Sequence, residues 1–131
     1  MNAITPTSPV SGELLREQRG AALWLTICRE ERRNAMNPAV IHGLRDAITQ
    51  AQGDSAVRAI VITGTGSKAF CAGADLQSDK TFVQDVSQPY GAYALLLRAA
   101  QASQVPLIAR VNGACMAGGM GLLAMCDMAV A

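Results

Sequence analysis

Residues 64–76 read GTGSKAFCAGADL, and residues 111–127 read VNGACMAGGMGLLAMCD. Each stretch follows a short apolar run that suits a buried strand, and each leads toward a helix. A strand-to-helix junction can leave backbone N–H groups unpaired at the helix start, where their fixed dipoles stabilise a developing oxyanion. The alternative is that the glycines only permit tight turns and close helix packing, which is the simpler explanation for any single glycine. Two such junctions in one chain favour a functional site.

Neither stretch matches a nucleotide-binding motif. The run from Gly64 to Ala69 lacks the G-K-[ST] ending and the glycine spacing of a P-loop. Neither Gly64-x-Gly66 nor Gly119-x-Gly121 continues into G-x-G-x-x-G. A nucleotide-phosphate loop is therefore not predicted.

Strand and helix patterns alternate on both sides of these loops. Asn37 can cap a helix, and Pro38 suits its first position. One apolar stripe follows, formed by Ile41, Leu44, Ile48 and Ala51. Further helices are expected somewhere within 82–104 and around Gly118–Met125, and strands at 13–18, 21–28, 58–64, 105–111 and 128–131. This order predicts an α/β fold.

The composition suits one domain that does not bind nucleic acid. The chain has 131 residues, of which 50% are hydrophobic, so it can bury a single core. Eleven Lys and Arg against ten Asp and Glu give a net charge of +1, which leaves no basic face for a phosphate backbone. Residues 1–12 are expected to form a flexible lead-in, and residues 13–131 the domain.

The cysteines are not spaced for a zinc cluster or a redox dithiol. No C-x-x-C pair occurs among the four, which are Cys28, Cys71, Cys115 and Cys126. Two disulfides are one possibility. Reduced thiols in the cytoplasm are favoured, because the N-terminus lacks the charged start and apolar core of a secretory signal.

The single histidine and the longest uncharged run have structural explanations. His42 lies off the apolar stripe, so it is interpreted as a partly exposed helix residue rather than a catalytic base. The run between Arg110 and Asp127 is Gly-rich and shorter than the roughly 20 apolar residues that span a bilayer. No metal and no membrane partner are predicted.

Three segments in order resemble one known family. They are RRNAMN, IVITGTGSKAFCAGADL and PLIARVNGACMAGGMGLLAMCDMAVA, and together they are similar to the motif series of the crotonase (enoyl-CoA hydratase/isomerase) family of acyl-CoA enzymes. The resemblance covers about residues 12–131. It implies a crotonase-like ββα spiral core that is incomplete at the C-terminus, so the chain would be the N-terminal portion of such a domain.

The resemblance also assigns roles to individual residues. The backbone N–H groups of Ala74 and Gly118 would form an oxyanion hole for the thioester oxygen. The adenine and pantetheine of coenzyme A, a part of the substrate rather than a prosthetic group, would contact the loop backbone around Ala35, Ala72, Gly73, Ala74, Asp75, Leu76 and Gly118. Lys68 would lie near the phosphates of coenzyme A, although an ordinary solvated lysine is an equal alternative.

The remaining assignments concern the roles of two aspartates and the oligomeric state. Asp75 could order the ligand loop, but a turn or helix cap is the favoured role. Asp127 is interpreted as structural. The family implies a homo-oligomer, a trimer or a dimer of trimers, for a full-length protein.

The sequence departs from the family pattern at the proton carriers. Hydratases of the family generally use two glutamates, and Gly121 occupies the first of these positions while the second would follow Ala131. Because glycine carries no proton, a two-carboxylate mechanism cannot be transferred intact. Three functions stay open: an enoyl-CoA hydratase or isomerase, a CoA-thioester-binding or structural fragment without turnover, and a thioester hydrolase, dehalogenase or decarboxylase.

Overall fold

The computed structural model describes residues 6–7, 13–75, 87 and 90–131. Its strands are β1 (Pro6–Thr7), β2 (Leu14–Arg19), β3 (Ala22–Ile27), β4 (Ala59–Gly64), β5 (Ala69–Cys71), β6 (Leu107–Arg110), β7 (Ala114–Cys115) and β8 (Met128–Val130). Its helices are α1 (Pro38–Ala51), α2 (Ala92–Ala102) and α3 (Gly118–Met125), and a 3₁₀ turn spans Glu30–Arg32.

Six strands form the main sheet, in the order β1-β2-β3-β4-β6-β8. The β1–β2 and β2–β3 pairs are antiparallel, whereas β3, β4, β6 and β8 run parallel. Parallel strands end at the same edge of a sheet, and ligands of open α/β sheets bind outside that edge. The loops that follow β3, β4 and β6 therefore share one side of the molecule.

The core lies between the sheet and its helices and follows the apolar patterns of the sequence. Alternate residues of β3 are buried, and β4 is buried almost throughout, as befits a central parallel strand. The apolar stripe of α1 faces this core, with Ile41, Leu44 and Ile48 fully buried. The α/β class predicted from the sequence is confirmed.

Most of the expected elements are present. The helix capped by Asn37 and the helix at Gly118–Met125 are confirmed, and α2 lies inside the range 82–104, of which residues 82–86 and 88–89 are outside the described part. In the expected lead-in, Pro6 and Thr7 pair with Glu17 and Arg16 of β2, and the rest of residues 1–12 are outside the described part.

Besides β1, two short strands were not predicted. β5 and β7 lie in the segments interpreted as loops, and they pair in parallel to form a separate two-stranded sheet. Each is too short for a periodic pattern to indicate it. They are held by tertiary contacts, since the side-chain amides of Asn34 and Asn112 both donate to the carbonyl oxygen of Ala69, at 2.8 and 3.0 Å.

The start of α1 gives the first testable prediction. The Asn37 side-chain oxygen accepts from the Val40 N–H at 2.9 Å, so it satisfies one of the unpaired donors of the first turn. Replacing Asn37 with alanine should lower the free energy of unfolding by about 1 kcal/mol in urea denaturation. Asn37→Ser keeps a capping oxygen and should lose clearly less. Equal losses in the two variants would contradict the capping role.

Candidate oxyanion site

The two glycine-rich loops meet at Gly73 and Gly118. A β-carbon at Gly73 would lie 3.1 Å from the Gly118 nitrogen and 2.9 Å from the Ala117 β-carbon. A β-carbon at Gly118 would lie 3.8 Å from the Ala74 nitrogen. Gly73 also has φ +109°, a conformation that L side chains rarely adopt. The close approach of the loops thus brings the backbone nitrogens of Ala74 and Gly118 to one place.

Pairing with the segment around Met36 directs the Ala74 N–H. The Met36 N–H donates to the Gly73 carbonyl oxygen at 2.7 Å, and the Asp75 N–H donates to the Met36 carbonyl oxygen at 2.9 Å. In a parallel bridge of this kind, the intervening residue turns its own N–H away from the partner segment. Within the described residues, the Ala74 N–H donates to no backbone carbonyl.

The Gly118 N–H is available because helix α3 begins there. The first N–H groups of a helix have no intrahelical partner, and α3 has no side-chain cap at Ala117. The next two donors are used locally, by Gly119 to Met116 and by Met120 to Ala117. Ala117 itself has φ 50° and ψ −125°, a sparsely populated conformation for a residue with a side chain. The Gly118 N–H therefore directly follows a strained backbone turn.

A buried ion pair holds the first loop in place. The Arg29 Nη2 donates to the Asp75 Oδ2 at 2.7 Å, and these side chains are only 10% and 9% exposed. Arg29 also donates through Nη1 to the Ala35 carbonyl oxygen and lies 3.5 Å from the carboxylate of Glu13. Arg29 was not among the residues that the sequence pointed to. Its role depends on a partner 46 positions away.

The other predicted site residues occupy different positions around this centre. Ala35 is buried, and Ala72 is half-buried and donates its N–H to the Arg33 carbonyl oxygen at 3.1 Å. Lys68 is exposed, and its carbonyl oxygen accepts from the Ala114 N–H. Leu76 lies outside the described residues. The structure therefore brings together the backbone of residues 72–75 with Gly118 and the loop before α1.

His42 and Asp127, which were interpreted as residues without a catalytic role, lie in surroundings that agree with this interpretation. His42 is exposed on α1. The Asp127 carboxylate accepts from the Leu107 N–H at 2.8 Å and so links the end of α3 to β6.

Burial shifts the titratable groups next to the site toward their neutral forms. Burial raises the pKa of Cys71 to about 11, while a backbone hydrogen bond with Gly73 opposes this rise and the charge of Cys115 adds to it. Burial, with the charges of Cys71 and Cys115, raises the pKa of Tyr93, and burial alone raises that of Cys115. At neutral pH the side chains of Cys71, Cys115 and Tyr93 are therefore a pair of thiols and a phenol, and the anion described beside the Ala74 N–H is Asp75, which is paired with Arg29.

Among residues 6–7, 13–75, 87 and 90–131, no group of three or more His, Cys, Asp or Glu side chains could hold a metal ion. No helix in those ranges is long and apolar enough to cross a bilayer.

Comparison with known proteins identifies the class. The sequence family described as enoyl-CoA hydratase/isomerase matches residues 17–131, and the chain belongs to this family. The resemblance carried by the three motif segments is thereby confirmed.

Individual relatives share the family and differ in the activities for which they are named. A probable enoyl-CoA hydratase of Mycobacterium tuberculosis is 41% identical over 113 residues, which are 86% of this chain and 44% of the relative. Crotonyl-CoA hydratase of Syntrophomonas wolfei is 35% identical over 90% of this chain and 45% of its own. The solved structure of a carnitinyl-CoA dehydratase from Mycobacterium avium matches with a TM-score of 0.73 and 38% identity, over 93% of this chain and 45% of that one. The chain spans about half the length of the relatives it matches.

Proposed function

We propose that this chain binds the thioester group of an acyl-CoA or enoyl-CoA and stabilises an enolate-like intermediate through the backbone N–H groups of Ala74 and Gly118. The observation that carries the proposal is the convergence of these two nitrogens from separate loops. Reaction at the α or β carbon of a thioester moves negative charge onto the carbonyl oxygen. Two fixed donors aimed at that oxygen stabilise the charge without the reorganisation that water requires.

The size of the side chains agrees with this chemistry. Backbone donors can reach a ligand atom only where no side chain covers them, and the two loops carry alanine or glycine at residues 72–74 and 117–119. Losing one oxyanion donor costs about 3–4 kcal/mol of transition-state stabilisation in enzymes of known mechanism. Two such N–H groups can therefore supply a large part of the rate enhancement of a reaction that passes through a thioester enolate.

The coenzyme A contacts are part of the same proposal. The adenine and pantetheine would lie along the backbone near Ala35 and residues 72–76, with Lys68 close to the phosphates. Lys68 is exposed, as a residue that meets a solvated phosphate must be. Activity in the cytoplasm and assembly into a homo-oligomer are proposed for the complete protein on the strength of the family alone.

A second candidate function is thioester binding without turnover. The observation that favours it is Gly121, which leaves helix α3 without the carboxylate that a two-glutamate hydratase needs. Hydrolysis, dehalogenation and decarboxylation of a thioester are further candidate reactions, because they could use the same two N–H groups.

One experiment separates these functions. Calorimetric titration with a non-hydrolysable acyl-CoA tests binding, and an assay on crotonyl-CoA tests turnover, with both measurements made on this chain and on the complete polypeptide. Binding together with hydration or isomerisation would support the enzyme. Binding without turnover would favour the second candidate, and the absence of both would contradict the acyl-CoA proposal.

A further inference from the structure

Helix α3 starts without the features that usually fix a helix terminus. Three of its eight residues are glycines, and each glycine disfavours a helix by about 1 kcal/mol relative to alanine. Its N-cap residue, Ala117, makes no side-chain capping bond. An oxyanion donor at position 118 nevertheless has to be held in one direction to be effective. Some contact from outside the helix must supply the missing restraint.

Tyr93 supplies such a contact from helix α2. Its hydroxyl donates to the Gly118 carbonyl oxygen at 2.7 Å, across 25 positions of sequence. The bond fixes the carbonyl of the same residue whose N–H is the proposed donor. Because Gly118 has no side chain, its backbone is otherwise the least restrained of any residue type.

Gly121 provides the space that this hydroxyl occupies. A β-carbon at Gly121 would lie 2.1 Å from the Tyr93 hydroxyl oxygen and 3.2 Å from the ring carbon that bears it. The shorter distance is far inside any real contact, so a side chain at 121 requires the Tyr93 hydroxyl to leave its present position. The glycine at this position is thus explained by packing against Tyr93.

We infer that Tyr93 is a positioning residue of the oxyanion site. Its hydroxyl holds the first turn of α3, and that hydroxyl occupies the space that a proton-carrying side chain at position 121 would need. The inference rests on the proposed function and adds to it a reason for the missing carboxylate. The hydroxyl is a neutral donor at neutral pH, since burial raises its pKa and the thiols Cys71 and Cys115 that face it would only raise it further on ionising. It restrains the helix without adding a negative charge beside the enolate.

The inference is tested by removing the hydroxyl while keeping the ring. In Tyr93→Phe, the affinity for acetoacetyl-CoA, whose enolate form absorbs in the near ultraviolet, should fall by about tenfold, the upper range for one net hydrogen bond. The affinity for an S-alkyl-CoA thioether, which has no carbonyl oxygen, should stay within about twofold, since it tests coenzyme A binding without the oxyanion. A purely structural role would lower both affinities together.

A second pair of variants tests the contact with Gly121 through stability. Gly121→Ala should lower the urea midpoint in the natural background, and Tyr93→Phe/Gly121→Ala should recover most of it, because the closest atom has been removed. The double variant should still bind the acetoacetyl-CoA enolate weakly. Recovery of both stability and enolate affinity would overturn the positioning role.

The outcomes separate this inference from the proposed function. If the natural chain and the complete polypeptide bind neither probe, the acyl-CoA proposal fails and the inference fails with it. If the natural protein binds the enolate and Tyr93→Phe binds it equally well, only the positioning role is overturned.

Discussion

Replacing Gly118 with proline should reduce kcat/KM for the thioester substrate of the complete enzyme by about 100- to 1000-fold, with little change in the fold. Proline removes the one N–H that the proposal assigns to the oxyanion, and a loss of this size is typical of one such donor. Gly118 is the first residue of α3, a position that proline occupies readily because its missing N–H has no helical partner there. Steady-state kinetics and a thermal unfolding scan are the two measurements.

Gly118→Ala is the matched control for steric bulk. Its β-carbon would lie 3.4 Å from the Met36 methyl carbon and 3.8 Å from the Ala74 nitrogen, which are close to ordinary contacts, and its N–H is kept. We expect a much smaller loss in this variant. If alanine and proline reduce kcat/KM equally while both proteins stay folded, the effect comes from crowding and the donor assignment is wrong.

The elements that could be predicted from the sequence are those with local signals. The α1 helix carries its cap at Asn37, its first-turn proline and its apolar stripe within one continuous segment, and all three features act as expected. The central strands are recognisable because a run of apolar residues such as AIVITG suits only a buried position. Family membership followed from the order of three short segments, which no single glycine could have indicated.

The parts of the site that depend on distant partners could not be predicted in this way. Strands β5 and β7 pair with each other from separate segments, and the Ala69 carbonyl of β5 also accepts from the side chains of Asn34 and Asn112. The Tyr93 ring contributes to the helical spacing of α2, yet its hydroxyl contacts a residue 25 positions away. The assignments of Ala74 and Gly118 stay predictions, now supported by the close approach of the two loops.

The largest effect on stability is expected at Arg29. Replacing it with methionine keeps an unbranched side chain but removes the Arg29 cation from the buried Asp75 carboxylate. Removing one partner of a buried ion pair typically costs 3–5 kcal/mol, about a third or more of the stability of an ordinary domain. Urea denaturation followed by circular dichroism should show this loss in the free energy of unfolding.

Arg58→Met is the control for the substitution itself. Arg58 is exposed on the chain before β4, so the same chemical change there should alter the free energy of unfolding by no more than about 0.5 kcal/mol. Asp75→Asn in the Arg29→Met background should recover part of the loss, because the uncompensated charge is then removed as well. Failure to recover any stability would mean that packing of the arginine, rather than its charge, is what the site requires.

The same variant connects the ion pair to the proposed chemistry. Arg29 binds the Ala35 carbonyl and the Asp75 carboxylate at once, so it ties the segment before α1 to the residue that directly follows Ala74. In protein that is still folded at low temperature, Arg29→Met should therefore weaken enolate binding more than coenzyme A thioether binding, since the donor at Ala74 depends on this tie while the contacts of the nucleotide end are spread over several residues. Equal weakening of the two ligands would show that the ion pair stabilises the loop as a whole and does not direct the Ala74 N–H.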